Sequence, residues 1–311
     1  MSLLTLRELH PGFAAEASGI DLSEPLDADG ARAIEAAMDR HGVLVFRGQQ
    51  LDQDQQMRFA EAMGPLDVGF GRFRKTHHRF KHEALADMSN VGPDGELVSR
   101  DHPKIVGNIA NQLWHSDSSF QRPRAKYSML YSVVVPNEGG QTEFADLRAA
   151  HDALPPELLE QVQGRFAEHF ALHSRFLLGD TNYNEAQRAL MPPVCWPLSQ
   201  THPGSGRKVL YVGIHAQSVV GMTLPEGRML IMDLLEHATQ RAFVYRHEWR
   251  VGDLVMWDNT ATVHRGRRYD FSRRRELRRS TTLETVEPVE ARDPPPAADV
   301  RRAPAETHAA S

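Results

Sequence analysis

The sequence predicts a mainly β protein with helices, a β-sandwich or jelly-roll barrel that carries helical insertions. The first observation is a series of short β-branched and aromatic runs separated by turn residues, of which Tyr127–Val135 is the longest and stops at Pro136. The second is that the helical patterns are grouped between these runs. Many strands with grouped helices are typical of sandwiches and jelly rolls.

The N-terminal part predicts two helices and one buried strand. Apolar residues recur on one helical face at 31–40, and the apolar run 43–46 reads as a buried strand. A second helix begins after Asp52, which can cap it while Gln55 reaches back. Residues 66–106 show little periodicity, so we expect long loops with short strands there, a kind of segment that often carries function.

The rest of the chain predicts further strands and three helices, followed by a tail. Asp146 can cap a helix that runs through Leu154, and Pro155 starts another that ends near Gly164. The remaining predicted elements are strands at 142–144, 208–213, 243–249, 253–258 and 278–284, and an amphipathic helix at 226–238. We expect a single domain over residues 1–285 and a disordered tail over 286–311, where almost nothing can be buried.

Composition places this chain among ordinary globular proteins. It has 311 residues, 41% hydrophobic and 25% charged, which is enough for a sizeable core. A net charge of −5 argues against nucleic acid as an obligate partner. One cysteine, Cys195, excludes an internal disulfide framework, and no apolar run is long enough to span a membrane. We therefore expect a cytoplasmic protein with neither a nucleic-acid nor a membrane partner.

The strongest functional signal is His115-Ser116-Asp117. On a strand, side chains two residues apart point to the same face, so His115 and Asp117 would lie side by side. A second histidine, His264, follows the predicted strand 253–258. Two histidines and one carboxylate make a facial triad that suits Fe(II) and leaves positions open for a chelating co-substrate and dioxygen. Taken singly, His115-x-Asp117 is more often a surface pair and His264 a loop histidine; only the combination predicts a metal site.

A run of arginines follows His264. If 275–284 is extended, Arg275 and Arg279 share a face with apolar residues and point inward, where they need carboxylate partners. The planar guanidinium matches the distal carboxylate of 2-oxoglutarate in a bidentate arrangement. The other arginines are interpreted as surface charge: Arg265, Arg267, Arg268, Arg273 and Arg274.

Five residues in order resemble the taurine dioxygenase family of Fe(II)/2-oxoglutarate-dependent dioxygenases: His115, Asp117, Thr142, His264 and Arg275. Within this family the resemblance is closer to members that oxidise aryloxyalkanoates, and it extends from about residue 9 to residue 284. It is carried by the segments 114–120, 174–180, 252–259 and 264–270.

The resemblance implies a double-stranded β-helix (jelly-roll) core, an Fe(II) centre, 2-oxoglutarate and O2 as co-substrates, and a homo-oligomer. It assigns Thr142, Arg275 and Arg279 to the co-substrate end of the site. Asn111 and Arg279 correspond to positions near a substrate's anionic group. The expected substrate is a small anionic aromatic molecule such as 2,4-dichlorophenoxyacetate, oxidised next to the ether oxygen.

Four further residues are candidates for the substrate pocket. Phe70 and Arg72, in the long early loop, could cover the aryl group and the carboxylate. His202 and His215 could also contact the substrate, although each fits a purely structural role as well.

Other functions are compatible with parts of this pattern. The same machinery could oxidise a 2-aryloxypropionate, a sulfonate or an alkyl sulfate, since all are anions with a target C–H bond. A jelly-roll module could bind metal or carbohydrate without redox turnover. The arginine run could bind nucleic acid, which would then depend steeply on salt.

Overall fold

The computed structural model describes residues 4–68 and 79–286, and the described chain is mainly sheet with helices, as predicted. Phe70, Arg72 and residues 287–311 of the predicted tail lie outside the described residues. Strands in the described part are β1 (Thr5–His10), β2 (Phe13–Ser18), β3 (Val43–Phe46), β4 (Ala86–Asp87), β5 (Ala125–Val134), β6 (Thr142–Asp146), β7 (Phe166–His169), β8 (Val194–Pro197), β9 (Ser199–Thr201), β10 (Lys208–Leu210), β11 (Ala216–Val219), β12 (Val244–His247), β13 (Leu254–Asp258), β14 (Thr262–Gly266) and β15 (Glu276–Leu283).

The α-helices of the described chain are interspersed among the strands in sequence. They are α1 (Ala28–His41), α2 (Gln53–Ala62), α3 (Pro103–Asn108), α4 (Leu147–Asp152), α5 (Pro156–Val162), α6 (His173–Leu177), α7 (Glu185–Ala189) and α8 (Leu224–Ala238). Within the described ranges, none is both long and apolar enough to cross a membrane.

The described strands form four sheets, and two of these pack against each other. The larger has seven strands in the order β1-β2-β3-β13-β5-β15-β4, and the smaller has the order β12-β6-β14. All these pairs are antiparallel except β2 with β3. Val45, Trp257 and Leu277 of the large sheet form one buried cluster with Phe144 and Tyr245 of the small sheet. The two sheets therefore pack face to face, in agreement with a layered β architecture.

The caps of the first two helices follow the sequence. Asp27 caps α1, and Gly42 ends it in the left-handed region with φ 69°, donating its N–H to Met38 O. At α2, Asp52 and Gln55 form the predicted reciprocal capping box. The first helix begins earlier than predicted because Asp27, rather than an apolar residue, sets its start.

The N-terminal hairpin β1–β2 was not predicted. Residues Thr5–His10 are largely exposed, and Phe13–Ser18 contains three alanines, which have low strand propensity. The second strand is nevertheless mostly buried, since it lies between β1 and β3 in the large sheet. Tertiary pairing therefore decides the conformation here.

Candidate metal centre

The backbone brings His115 and His264 together. His115 N donates to His264 O at 3.0 Å, and His264 N donates to His115 O at 2.8 Å, which forms an isolated bridge. The two imidazole rings are 4.2 Å apart between centroids. Since His264 lies in β14, this bridge attaches the His115 segment to the small sheet. Two predicted ligands that are far apart in sequence thus become neighbours.

The strand predicted around residues 115–117 does not form. His115 makes only the single bridge, and the chain turns at Ser118, which has φ 48°. Asp117 N donates to the Asn259 side chain at 3.0 Å instead of to a ladder carbonyl. The turn still directs the Asp117 carboxylate toward the histidines. The prediction that His115 and Asp117 lie side by side was therefore right, but the strand expected to cause it is absent.

The ligand atoms of the three predicted metal ligands lie within 4.8 Å of one another, and all three residues are buried. Asp117 Oδ1 is 3.9 Å from His115 Nε2, and Asp117 Oδ2 is 3.8 Å from His264 Nε2. Among the described residues, these three side chains form the group that is spaced to hold a metal ion. Two imidazole nitrogens and a carboxylate oxygen are the donor set of a non-haem Fe(II) site.

Protonation states in this cluster favour metal binding. His115 Nδ1 lies 2.8 Å from Leu113 O, and a carbonyl can only accept, so the proton is on Nδ1 and the Nε2 lone pair is available. Burial lowers the pKa of both His115 and His264, which keeps the imidazoles neutral. Burial alone would raise the pKa of Asp117, but the charge of the Arg279 guanidinium and the hydrogen bond from Ser128 lower it and keep the carboxylate ionised.

A cavity opens beside these ligands, between the two sheets. Its lining includes His115 and His264 together with Asn111, Thr142, Arg275 and Arg279. The register of β6 with β14 pairs Thr142 with Gly266 and Phe144 with His264, so Thr142 and His264 face the same side. The sheets therefore gather predicted metal, co-substrate and substrate residues around one space.

Arg275 has a guanidinium without an acidic partner among the described residues. It donates to Gly140 O at 3.2 Å and Met88 O at 3.4 Å, while its buried Nε has no partner. Burial lowers the pKa of Arg275 to about 10, although Tyr269 works in the opposite direction. A cation that is partly desolvated and unpaired is a ready site for an anionic group.

Thr142, which lines the same cavity as Arg275, can donate its hydroxyl proton to a ligand. Its Oγ1 accepts the indole N–H of Trp249 at 3.1 Å, so its own hydroxyl proton can point toward a ligand. Trp249 reaches it because β12 pairs with β6, with His247 opposite Thr142. Trp249 was not predicted, since this contact depends on strand register.

The other predicted substrate residues have different positions. Asn111 lines the cavity, and Arg279 lines it while donating to Asp117 Oδ1. The His215 ring packs 6.1 Å from the His115 ring, and its buried Nδ1 has no partner. His202 is held elsewhere: Nε2 contacts Asp258 Oδ2 at 3.0 Å and Nδ1 accepts from Ser205 N at 2.9 Å. Both nitrogens of His202 thus have hydrogen-bond partners in the protein, which indicates a structural role next to β13.

The arginine run is only partly surface charge. Arg273 and Arg274 are exposed, as interpreted from the sequence. Arg265 instead bonds Glu143 and lies over the Trp114 ring, 4.5 Å from its centroid. Arg267 is exposed, as interpreted from the sequence, and also contributes to the cavity wall. Further cavity residues that the sequence did not reveal are Met88, Ser89, Asn108, Gln112 and Tyr269.

Comparison with known proteins places this geometry in a family. The model "Taurine catabolism dioxygenase TauD, TfdA family" matches residues 5–281. The alpha-ketoglutarate-dependent 2,4-dichlorophenoxyacetate dioxygenase of Cupriavidus pinatubonensis is 62% identical over 276 residues, 89% of this chain and 96% of that protein. The (S)-phenoxypropionate/alpha-ketoglutarate-dioxygenase of Sphingobium herbicidovorans is 34% identical, over 85% of this chain and 89% of that protein.

A solved structure agrees with these sequence relationships. The crystal structure of AAD-2 in complex with Mn(II) and N-oxalylglycine superposes with a TM-score of 0.84 at 44% identity, covering 92% of this chain and 98% of that one. The matched family model, the identity to named relatives and the shared fold lead to one conclusion: this chain belongs to the TauD/TfdA family of alpha-ketoglutarate-dependent dioxygenases.

Proposed function

We propose that this chain is an Fe(II)/2-oxoglutarate-dependent dioxygenase that oxidises an aryloxyalkanoate such as 2,4-dichlorophenoxyacetate at the carbon next to the ether oxygen. The products are a phenol, glyoxylate, succinate and CO2. The observation that carries the proposal is the convergence of His115, Asp117 and His264 beside Arg275, a cation with no acidic partner among the described residues. The 62% identity to a 2,4-dichlorophenoxyacetate dioxygenase supports the choice of substrate.

His115, Asp117 and His264 would hold the metal through His115 Nε2, a carboxylate oxygen and His264 Nε2. The donor set fits Fe(II): both imidazoles are neutral, the carboxylate is ionised, and no cysteine contributes. When bound, the iron together with 2-oxoglutarate and dioxygen supplies the oxidation itself. The protein contributes the positions and charges of its own groups.

Arg275 and Thr142 would bind the distal carboxylate of 2-oxoglutarate. Arg275 offers a charge with no acidic partner among the described residues. Thr142 offers a hydroxyl proton, because its Oγ1 already accepts the indole N–H of Trp249. Both line the cavity that also contains the imidazoles. The carboxylate end of the co-substrate thus has a charge-assisted anchor at one side of the cavity.

Arg279 and Asn111 would orient the substrate carboxylate. Both line the cavity, and Arg279 lies within contact of Asp117, so an anion held there is placed next to the metal ligands. Such anchoring presents the methylene carbon of the substrate to the reacting centre, an effect of orientation that is worth orders of magnitude in rate. Hydroxylation at that carbon gives a hemiacetal, which breaks down to the phenol and glyoxylate.

The two packed sheets support a double-stranded β-helix as the architecture of this site, within a single domain over residues 1–285. The family match over 5–281 spans nearly this whole range. Homo-oligomerisation and cytoplasmic location stay predictions.

The direct test is a product balance with purified enzyme, Fe(II), 2-oxoglutarate and 2,4-dichlorophenoxyacetate. We expect succinate, 2,4-dichlorophenol and glyoxylate in equal amounts, and loss of all three in His115→Ala. The matched control is His151→Ala, since His151 bonds Ser199 rather than the metal cluster. Full activity of His115→Ala would refute the metal assignment. Tight zinc binding without oxygen uptake would instead identify a module without redox function.

A substrate panel defines the specificity. Relatives at 34% and 31% identity are an (S)-phenoxypropionate dioxygenase and a sulfate ester dioxygenase. We expect higher kcat/KM for aryloxyacetates than for 2-aryloxypropionates, alkyl sulfates or taurine. Preference for sulfates or sulfonates, detected as sulfate or sulfite release, would overturn the substrate assignment and leave the reaction class intact.

A further inference from the structure

The side chain of Asn259 lies fully buried behind the proposed metal ligands. Its Oδ1 accepts two hydrogen bonds at 3.0 Å, one from the backbone N–H of Asp117 and one from the indole N–H of Trp257. Both partners can only donate, so the amide orientation is fixed with its oxygen toward them. The amide nitrogen must therefore point the other way.

The amide nitrogen of Asn259 connects to the Asp117 carboxylate through Ser128. Asn259 Nδ2 donates to Ser128 Oγ at 2.9 Å, and Ser128 Oγ is 2.7 Å from Asp117 Oδ2. An ionised carboxylate only accepts, so the Ser128 hydroxyl must donate to it while accepting from Asn259. The direction of each bond from Asn259 through Ser128 to Asp117 is thereby determined.

This chain of hydrogen bonds from Asn259 through Ser128 to Asp117, here called the relay, replaces the strand hydrogen bonds that Asp117 lacks. Asp117 lies in a turn rather than in a strand, and its N–H has a side-chain partner instead of a ladder partner. Ser128 donates to Oδ2 and Arg279 donates to Oδ1, so each carboxylate oxygen has its own hydrogen-bond partner. Since Ser128 is itself within β5, the carboxylate is tied to the large sheet.

The same relay reaches the second imidazole. Trp257, which bonds Asn259, has its ring 4.6 Å from the His264 ring and forms part of the cavity wall. In the large sheet Trp257 lies opposite Ser128. The buried Asn259 amide is therefore linked on one side to Trp257, which packs against His264, and on the other side to the Asp117 carboxylate through Ser128.

We propose that Asn259 and Ser128 are positioning residues that hold the Asp117 carboxylate in the direction required of a metal ligand, and so strengthen metal binding. The proposal rests on the proposed function, because it assumes that Asp117 is a ligand. Groups that orient metal ligands from behind typically change metal affinity by about 10- to 100-fold when removed. Neither residue is among those that line the cavity.

The test compares Ser128→Ala with Ser132→Ala. Ser132 is a matched control, because it lies on the same strand, is also fully buried, and bonds Arg250 O and Asp253 instead of the metal cluster. Metal-free proteins are titrated with Co(II), and the dissociation constant and the visible absorption spectrum are recorded. We expect Ser128→Ala to bind about 10- to 100-fold more weakly with an altered spectrum, whereas Ser132→Ala matches the wild type in both.

Two further measurements separate orientation from loss of folding. Melting temperatures of the metal-free variants show whether each is folded, and Ser128→Thr, which keeps the hydroxyl, is expected to restore the wild-type Co(II) spectrum. Equal Co(II) affinity and spectra in Ser128→Ala and wild type would overturn the positioning role while leaving the proposed function standing. Equal weakening in Ser128→Ala and Ser132→Ala would overturn it too. A wild-type protein that binds no Co(II) would refute the proposed metal site itself.

Discussion

Replacing Arg275 with methionine is expected to weaken co-substrate binding and to stabilise the ligand-free protein. Methionine keeps an unbranched chain of similar length but removes the charge. The guanidinium has no acidic partner among the described residues, so in the absence of a ligand it is a desolvated cation. In the proposed complex with 2-oxoglutarate, the same charge would anchor the distal carboxylate. The two effects therefore have opposite signs.

The magnitudes follow from the contacts. A fall in pKa from 12.5 to about 10 corresponds to about 3 kcal/mol. The hydrogen bonds to Gly140 O and Met88 O, at about 1 kcal/mol each, are lost in the variant. We therefore expect Arg275→Met to raise the free energy of unfolding by about 1 kcal/mol. Losing a charge-assisted anchor is expected to cost about 2–4 kcal/mol of binding, about 30- to 1000-fold in KM for 2-oxoglutarate.

Urea denaturation of the ligand-free protein and succinate formation at varied 2-oxoglutarate measure the two quantities. The control is Arg274→Met, where the neighbouring arginine is exposed and pairs with Glu276. It should change neither quantity by more than about 0.5 kcal/mol. An unchanged KM for Arg275→Met would show that this residue does not bind 2-oxoglutarate. A lower free energy of unfolding would show that its charge does not destabilise the ligand-free protein.

Three further predictions test the surroundings of the site. Trp249→Phe removes the indole N–H from Thr142 and should raise KM for 2-oxoglutarate about 5-fold, roughly 1 kcal/mol; an equal KM would show that Thr142 needs no such support. Burial lowers the pKa of His169 to about 3, so between that value and 6.5 the unfolded chain binds a proton that the folded one does not, and stability falls as pH falls. His169→Asn should flatten this loss, measured by urea denaturation at pH 5 and 6.5, by up to about 1.4 kcal/mol per pH unit; parallel curves for variant and wild type would contradict it. Gly139→Ala should destabilise by more than about 1 kcal/mol, because φ is 76° and the added Cβ would meet Arg268 O at 2.6 Å; a melting temperature equal to the wild type would refute it.

The three candidate metal ligands were predictable from the sequence because a short local signal combines with a distant one. His115 and Asp117 lie two residues apart, and His264 follows the apolar strand 253–258, so few alternatives remained. The local geometry was not predictable, since a turn at Ser118 and a contact with Asn259 replace the expected strand. The sequence therefore showed which residue types could bind a metal, but it did not show the backbone conformation that brings them together.

Residues that support the site could not be found from the sequence. Trp249 contacts Thr142 only through the register of β12 with β6, and Ser128 meets Asn259 across 131 residues. A buried serine or asparagine has the same appearance in sequence as one in a loop. Arg265 illustrates the reverse error: it reads as surface charge in a basic run, yet it is only partly exposed, bonds Glu143 and packs over Trp114.

The most direct test of this account is a crystal structure of the wild-type protein grown anaerobically with Fe(II) and 2-oxoglutarate, with anomalous data collected at the iron edge. We expect one iron peak within bonding distance of His115 Nε2, an Asp117 carboxylate oxygen and His264 Nε2, and the distal carboxylate of 2-oxoglutarate on Arg275. An iron peak elsewhere, or a protein side chain in place of 2-oxoglutarate on the metal, would contradict the central claim.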